Sequence, residues 1–107
     1  MLAFAALADD TRLAIVEALA ERDHSVGELV DLFTISQPAV SRHLRVLRDA
    51  GLVEVRSDAQ RRIYSLDASG LDEIADFVRR TRAVWERRLD ALGRHLDEMA
   101  TRTRRRG

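Results

Sequence analysis

Ser36-Gln37-Pro38-Ala39-Val40-Ser41-Arg42-His43-Leu44-Arg45-Val46-Leu47-Arg48-Asp49-Ala50-Gly51 carries its own start and stop signals. Ser36 is an N-cap residue, Pro38 sits in a first turn where its missing N–H costs nothing, and Gly51 is a left-handed terminator. At 100° per residue, the spacing that an α-helix imposes, Val40, Leu44 and Leu47 fall together and predict a core-facing stripe. Pro38, Ser41, Arg42 and Arg45 fall on the opposite side, with Gln37 and Arg48 at its edge. That polar face offers side chains able to read base edges (Gln37, Ser41, Arg42) and to neutralise phosphates (Arg45, Arg48).

Upstream, Ser25-x-x-Glu28 is a capping box that opens a helix to about Phe33, with Val26, Leu29, Val30 and Phe33 at helical spacing. Only Thr34-Ile35-Ser36 separate the two helices, so the pair predicts a helix-turn-helix over about residues 26–50. Further upstream, residues 2–8 read as a short apolar helix. Asp9 and Asp10 cap a second one from about Thr11 to Arg22, whose apolar residues cover more than one face. His24 falls at a turn. Downstream, Leu52–Arg56 and Arg61–Leu66 alternate as two strands joined by residues 57–60, a hairpin wing over about 52–66 with Arg56, Arg61 and Arg62 around its tip. After Ser69-Gly70 a helix is expected over about 71–99. Its apolar residues from Trp85 step by 4, 3, 4 and 3 through Leu89, Leu92, Leu96 and Met99, the spacing of a helix–helix seam. At about 29 residues, or ~43 Å, it is longer than one small domain needs. Arg102 to Arg106 read as a frayed end.

The order is helix-helix-helix-helix-strand-strand-helix: a mainly α chain with a β-hairpin wing, read as one domain over residues 1–107. The chain has no Cys, which excludes disulfides, thiolate metal sites and cysteine nucleophiles. No signal peptide or membrane-spanning run is present, and a cytoplasmic location is expected. Lys plus Arg equal Asp plus Glu at 18 each, yet the middle of the chain is basic. Residues 34–64 hold Arg42, Arg45, Arg48, Arg56, Arg61 and Arg62 against Asp49, Glu54 and Asp58. A basic middle on a neutral chain points to a local anionic partner. Every basic residue is Arg, whose planar fork suits phosphate and guanine edges. No phosphate loop, carboxylate dyad or Ser/His/Asp arrangement is visible, so no enzyme and no cofactor are expected.

Taken together, Phe4-x-x-Leu7-Ala8-Asp9-x-Thr11-Arg12-Leu13-x-Ile15, Val26-Gly27-Glu28-Leu29, the block from Ile35 to Val53 and Arg61-Arg62-x-Tyr64-x-Leu66 resemble the ArsR/SmtB family of winged helix-turn-helix repressors. The resemblance implies a homodimeric repressor on double-stranded DNA with an imperfectly palindromic operator. It implies base contacts from Gln37, Pro38, Ser41 and Arg42, within a DNA-binding set that adds Ser36, Arg45, Arg48, Arg56, Arg61 and Arg62. The first and last helices would form the dimer interface, through Leu2, Phe4, Leu7, Trp85, Leu89, Leu92 and Leu96. Metal-sensing members carry a cysteine motif where this chain has Ser25-Val26-Gly27-Glu28. A second familiar metal site uses Asp and His of the last helix, which here offers Asp72, Asp76, His95, Asp97 and Glu98. His95 and Glu98 stand one turn apart, so a metal-responsive repressor is the alternative, and a protein-interaction module without DNA binding is another. No metal site is expected, since the last helix of each copy supplies a single His, His95. The chain looks closest to a cysteine-free subgroup with a last helix like Trp85-Glu86-Arg87-Arg88-Leu89, whose members often repress their own operons. The sequence does not identify a small-molecule inducer, and constitutive binding relieved by dilution, competition or a small molecule against the Trp85 stripe is expected.

Overall fold

Ala8 and Asp9 separate the first two helices, and Asp9 caps the second. In the computed structural model, which describes residues 2–106 and the side chains of residues 3–104, α1 (Leu2–Leu7) gives way to α2 (Asp10–Glu21) across it. The Asp9 carboxylate accepts from the Arg12 backbone N–H at 3.0 Å, which holds its pKa below the ordinary carboxylate value. Ile15, Val16 and Leu19 of α2 are buried, whereas Leu13 remains exposed. A capping box starts α3 (Val26–Phe33): the Glu28 N–H donates to Ser25 Oγ and the Ser25 N–H donates to the Glu28 carboxylate. Thr34 closes α3 in the left-handed region, at φ 55°. Ser36 then caps α4 (Gln37–Asp49), accepting from the Ala39 N–H at 3.3 Å.

Helix α4 ends one residue before the expected Ala50, on a Schellman arrangement. Gly51 takes φ +74°, its N–H reaches Arg48 O, and the Leu52 N–H reaches Leu47 O. The chain enters β2 (Val53–Asp58) and returns on β3 (Arg61–Leu66), with Val53 opposite Leu66 and Asp58 opposite Arg61. The turn is therefore Ala59-Gln60, shorter than the expected tip, because Ser57 and Asp58 stay paired in the ladder and Ala59 absorbs the reversal at φ 57°.

A third strand is an addition to the sequence reading. His24 and Ser25, expected as turn and cap, form β1 (His24–Ser25) and pair antiparallel with Tyr64 and Ile63, giving the sheet order β1-β3-β2. Two residues bear no periodicity, so only the partner strand defines them.

Helix α5 spans Ala68–Arg106, 39 residues, and overruns both expected ends. Asp67 starts it by accepting from the Ser69 N–H at 2.9 Å, a bond that lowers its pKa. Gly70 lies inside the helix rather than before it. Its N–H donates to Gly51 O at 2.8 Å, and a Cβ there would meet that oxygen at 2.5 Å, so only glycine admits the approach. At the far end nothing breaks the helix, arginine is a good helix former, and cations suit a helix C-terminus. The expected frayed end is helical instead.

The chain divides into two compact units at residues 74 and 75. The first holds the core. Ile15, Leu29, Val40, Leu44, Leu47, Leu52 and Val53 are its largest fully buried side chains, each contributing about 1.5–3 kcal/mol by burial if aliphatic and large. Ala3 and Ala6 of α1 are buried against it, and Leu71 and Ile74 pack on it. The second unit is the rest of α5, a helix with no core of its own; from Val78 to Arg104 its side chains are exposed.

Candidate nucleic-acid interface

The two faces of α4 separate as the helical spacing predicts. Val40, Leu44 and Leu47 are at most 1% exposed, while Ser36, Gln37, Pro38, Ser41, Arg42, Arg45 and Arg48 are all exposed. Anchoring three apolar side chains in the core holds the opposite face outward on a rigid element. Ser36 has a structural task as cap, since its Oγ accepts from Ala39; its own hydroxyl proton is left to donate.

Between α4 and β3 lies a cleft of about 580 Å³. Gln37, Ser41, Arg45 and Arg48 line it from α4, Arg62 and Tyr64 from β3, and Val26, Leu44 and Asp49 complete it. Alternation along β3 places Arg62 and Tyr64 on one side of the strand. Among the described residues, Arg42, Arg45, Arg48 and Arg62 form no ion pair. Arg45, Arg48 and Arg62 thus concentrate positive charge in one cleft against Asp49 alone. Arg42 and Pro38 share the exposed face of α4 but do not line the cleft.

Arg56 and Arg61 are placed differently. Arg56 Nη1 donates to Asp23 Oδ2 at 2.8 Å, and Arg61 Nη2 donates to Glu28 Oε1 at 2.6 Å. Glu28 also accepts from Arg22 at 2.9 Å, and that bond, with those from Ser25, pulls its pKa down to about 2. His24, buried in β1, has Nδ1 3.3 Å from Glu28 Oε2 without hydrogen-bond geometry. The sequence reading places Glu28 in the capping box and in the family block, and gives neither it nor Asp23 an arginine partner in the wing, nor Arg22 a partner in Glu28. The available signal was a run of acids facing a basic hairpin. His43 is half-buried, with Nδ1 3.5 Å from Arg12 Nη1 and 4.0 Å from Asp9 Oδ1.

The residues expected at a dimer interface split. Phe4 is half-buried and Leu7 packs against the core of its own unit. The Leu2 side chain lies outside the described residues, as do those of Arg105 and Arg106. Trp85, Leu89, Leu92 and Leu96 are 60%, 54%, 52% and 53% exposed. His95 and Glu98 are also exposed on α5. Among the described residues, no three His, Cys, Asp or Glu side chains cluster as a metal site would need, and no helix is long and apolar enough to cross a membrane.

The sequence profile of a family described as "Bacterial regulatory protein, arsR family" matches residues 9–55, which run from the α2 cap into β2. The HTH-type transcriptional regulator Rv2034 of Mycobacterium tuberculosis is 44% identical over 95 residues, 89% of this chain and 86% of that protein. The transcriptional repressor SdpR of Bacillus subtilis is 33% identical over 70% of this chain and 83% of its own length. An ArsR-like transcriptional regulator from a Rhodococcus species superimposes with a TM-score of 0.73 at 34% identity, covering 85% of this chain and 86% of that one. One further relative, HlyU of Vibrio cholerae, is named a transcriptional activator. The family and these relatives are regulators of transcription, not enzymes. With a capped helix-turn-helix, a basic cleft beside the wing, and this degree of identity along most of its length, the chain belongs to the ArsR family of DNA-binding, winged helix-turn-helix transcription regulators.

Proposed function

We propose that this chain is a cytoplasmic repressor of its own operon that reads a palindromic operator as a homodimer. Helix α4 enters the major groove, where Gln37, Pro38, Ser41 and Arg42 face base edges and Ser36, Arg45 and Arg48 meet the backbone. Arg62 reaches phosphate from the wing. The observation that carries this reading is the cleft in which Arg45, Arg48 and Arg62 stand together, none of them in an ion pair among the described residues and Asp49 the one acid in the lining. Unpaired guanidinium groups lose no protein contact when they take up phosphate.

The homodimer rests on α5. A helix exposed on every side is marginal in water unless its apolar stripe is covered. Trp85, Leu89, Leu92, Leu96 and Met99 form such a stripe, and a second copy supplies an identical one. Repression is supported by relatives named as repressors.

Footprinting of the DNA upstream of the chain's own coding sequence tests the proposal. Two protected half-sites about one helical turn apart are expected. If Arg45, Arg48 and Arg62 each neutralise one phosphate in two copies, log affinity falls against log salt with a slope near −5, from about 0.9 per phosphate. Absence of protection, or a slope shallower than about −2, overturns the reading. Promoter output that rises when the protein is supplied overturns repression.

A further inference from the structure

We infer that Asp23 and Glu28 brace the wing: they hold Arg56 and Arg61 within the chain, so that these two arginines set where Arg62 stands instead of meeting phosphate themselves. The inference rests on the DNA-binding reading above and assigns unequal roles to arginines that look alike in sequence.

The geometry places one grip on each strand of the hairpin. Arg56 of β2 reaches Asp23, next to β1, and Arg61 of β3 reaches Glu28 in the first turn of α3. Both acids stand where α2 hands over to the helix-turn-helix, and β1 pairs with β3 at the same place through His24–Tyr64 and Ser25–Ile63. The wing is thus tied to the reading head by a short ladder and two ion pairs. Glu28 is already fixed before Arg61 arrives, since its backbone and carboxylate form the capping box and Arg22 holds its other oxygen. A carboxylate held in place demands less ordering from its partner than a free one.

Moving Arg61 to a phosphate would exchange one ion pair for another and gain little. It would also leave a Glu28 carboxylate short of a partner beside the DNA backbone, where like charges repel. Arg62 has no such alternative. It follows Arg61 directly, so strand alternation turns it to the other side, into the cleft with Tyr64. A small swing of the hairpin moves Arg62 against α4, and the brace opposes that swing.

The test uses the full chain, its Arg61→Gln, Arg62→Gln and Glu28→Gln variants and the Glu28→Gln/Arg61→Gln double variant. Each is titrated with a mixed-sequence duplex of about 30 base pairs, three helical turns, over a salt series. Amide hydrogen exchange is read over residues 53–66. Gln keeps the capping box at position 28, so α3 stays intact. Arg62→Gln is expected to make the salt slope shallower by about 0.9 for each copy bound. Arg61→Gln is expected to weaken binding about two- to fivefold, the scale of an exposed ion pair, with the slope unchanged. Both Arg61→Gln and Glu28→Gln should speed exchange in the hairpin, and the double variant should do so no more than Glu28→Gln alone. A slope loss for Arg61→Gln equal to that of Arg62→Gln overturns the inference, as does hairpin exchange that Arg61→Gln leaves untouched. Absence of any salt-dependent binding by the unaltered chain defeats the DNA-binding reading instead, and the exchange comparison still decides the brace.

Discussion

Helices α4 and α5 are both amphipathic, yet their apolar faces have opposite fates. Leu44 and Leu47 of α4 are at most 1% exposed, whereas Leu89 and Leu92 of α5 are more than half exposed. The difference is what surrounds them. Around α4 the chain wraps α1, α2, α3 and the start of β2, so its stripe is satisfied by its own unit. Beyond residue 74, α5 is a unit without other elements. A stripe at helical spacing therefore says that a face will be covered, not what covers it. In α4 the burial of one face leaves the other exposed, the face proposed to meet DNA; in α5 the apolar face itself is exposed, the one proposed to pair with a second copy.

Altering each face in turn tests this contrast. Leu44→Ala should cost about 2–5 kcal/mol in denaturant unfolding, because it opens a cavity under the recognition helix. A cost under about 1 kcal/mol would mean that the α4 stripe is not the anchor described. On α5, Leu92→Glu should weaken self-association at least about a hundredfold, or roughly 2.7 kcal/mol, by placing a charge in the apolar stripe. Sedimentation should then show a monomer in which residues 2–74 keep their helical signature. Unchanged association would break the assignment of this stripe to a second copy. On the free face of α4, Arg42→Ala should reduce discrimination between operator and mixed-sequence DNA by about 1–3 kcal/mol if Arg42 contacts a guanine edge. Equal loss on both DNAs would reassign Arg42 to the backbone.

The smallest effect concerns pH. Asp9, Glu28 and Asp67 all have lowered pKa values, that of Glu28 falling to about 2 chiefly through its bond from Arg22. A carboxylate with a depressed folded-state pKa stabilises fully above its unfolded value, and that stability fades as pH falls through the folded one. The melting temperature should therefore hold steady at neutral pH and decline from about pH 4.5 toward 2. Glu28→Gln should flatten part of that decline. A profile identical to that of the unaltered chain would show that the Arg22–Glu28–Arg61 group adds nothing to folding.

Much of the fold and the reading face was legible in the chain because it depends on local rules. Ser25 and Glu28, Ser36 and Pro38, and Gly51 mark helix ends through bonds spanning only a few residues, and the structure places them there. The angular position of Ser41, Arg42 and Arg45 follows from 3.6 residues per turn alone. The far end of α5 misled because a run of arginines at a terminus resembles a solvated tail, although each is a competent helix former.

The amino-acid order by itself determined the four helices before the wing, the hairpin and the polar face of α4, since each rests on spacing, capping or alternation within about a turn or a strand. Only the tertiary structure decided that His24 and Ser25 make a strand, because two residues acquire that state from Tyr64 and Ile63 across the ladder. It also decided which arginines are free. Arg56 and Arg61 lie 33 residues from Asp23 and Glu28 respectively, and no local rule connects charges so far apart in the chain. Coulomb attraction acts through space, so the sorting of like arginines into braced and unpaired sets exists only once the wing has folded back on the helix-turn-helix.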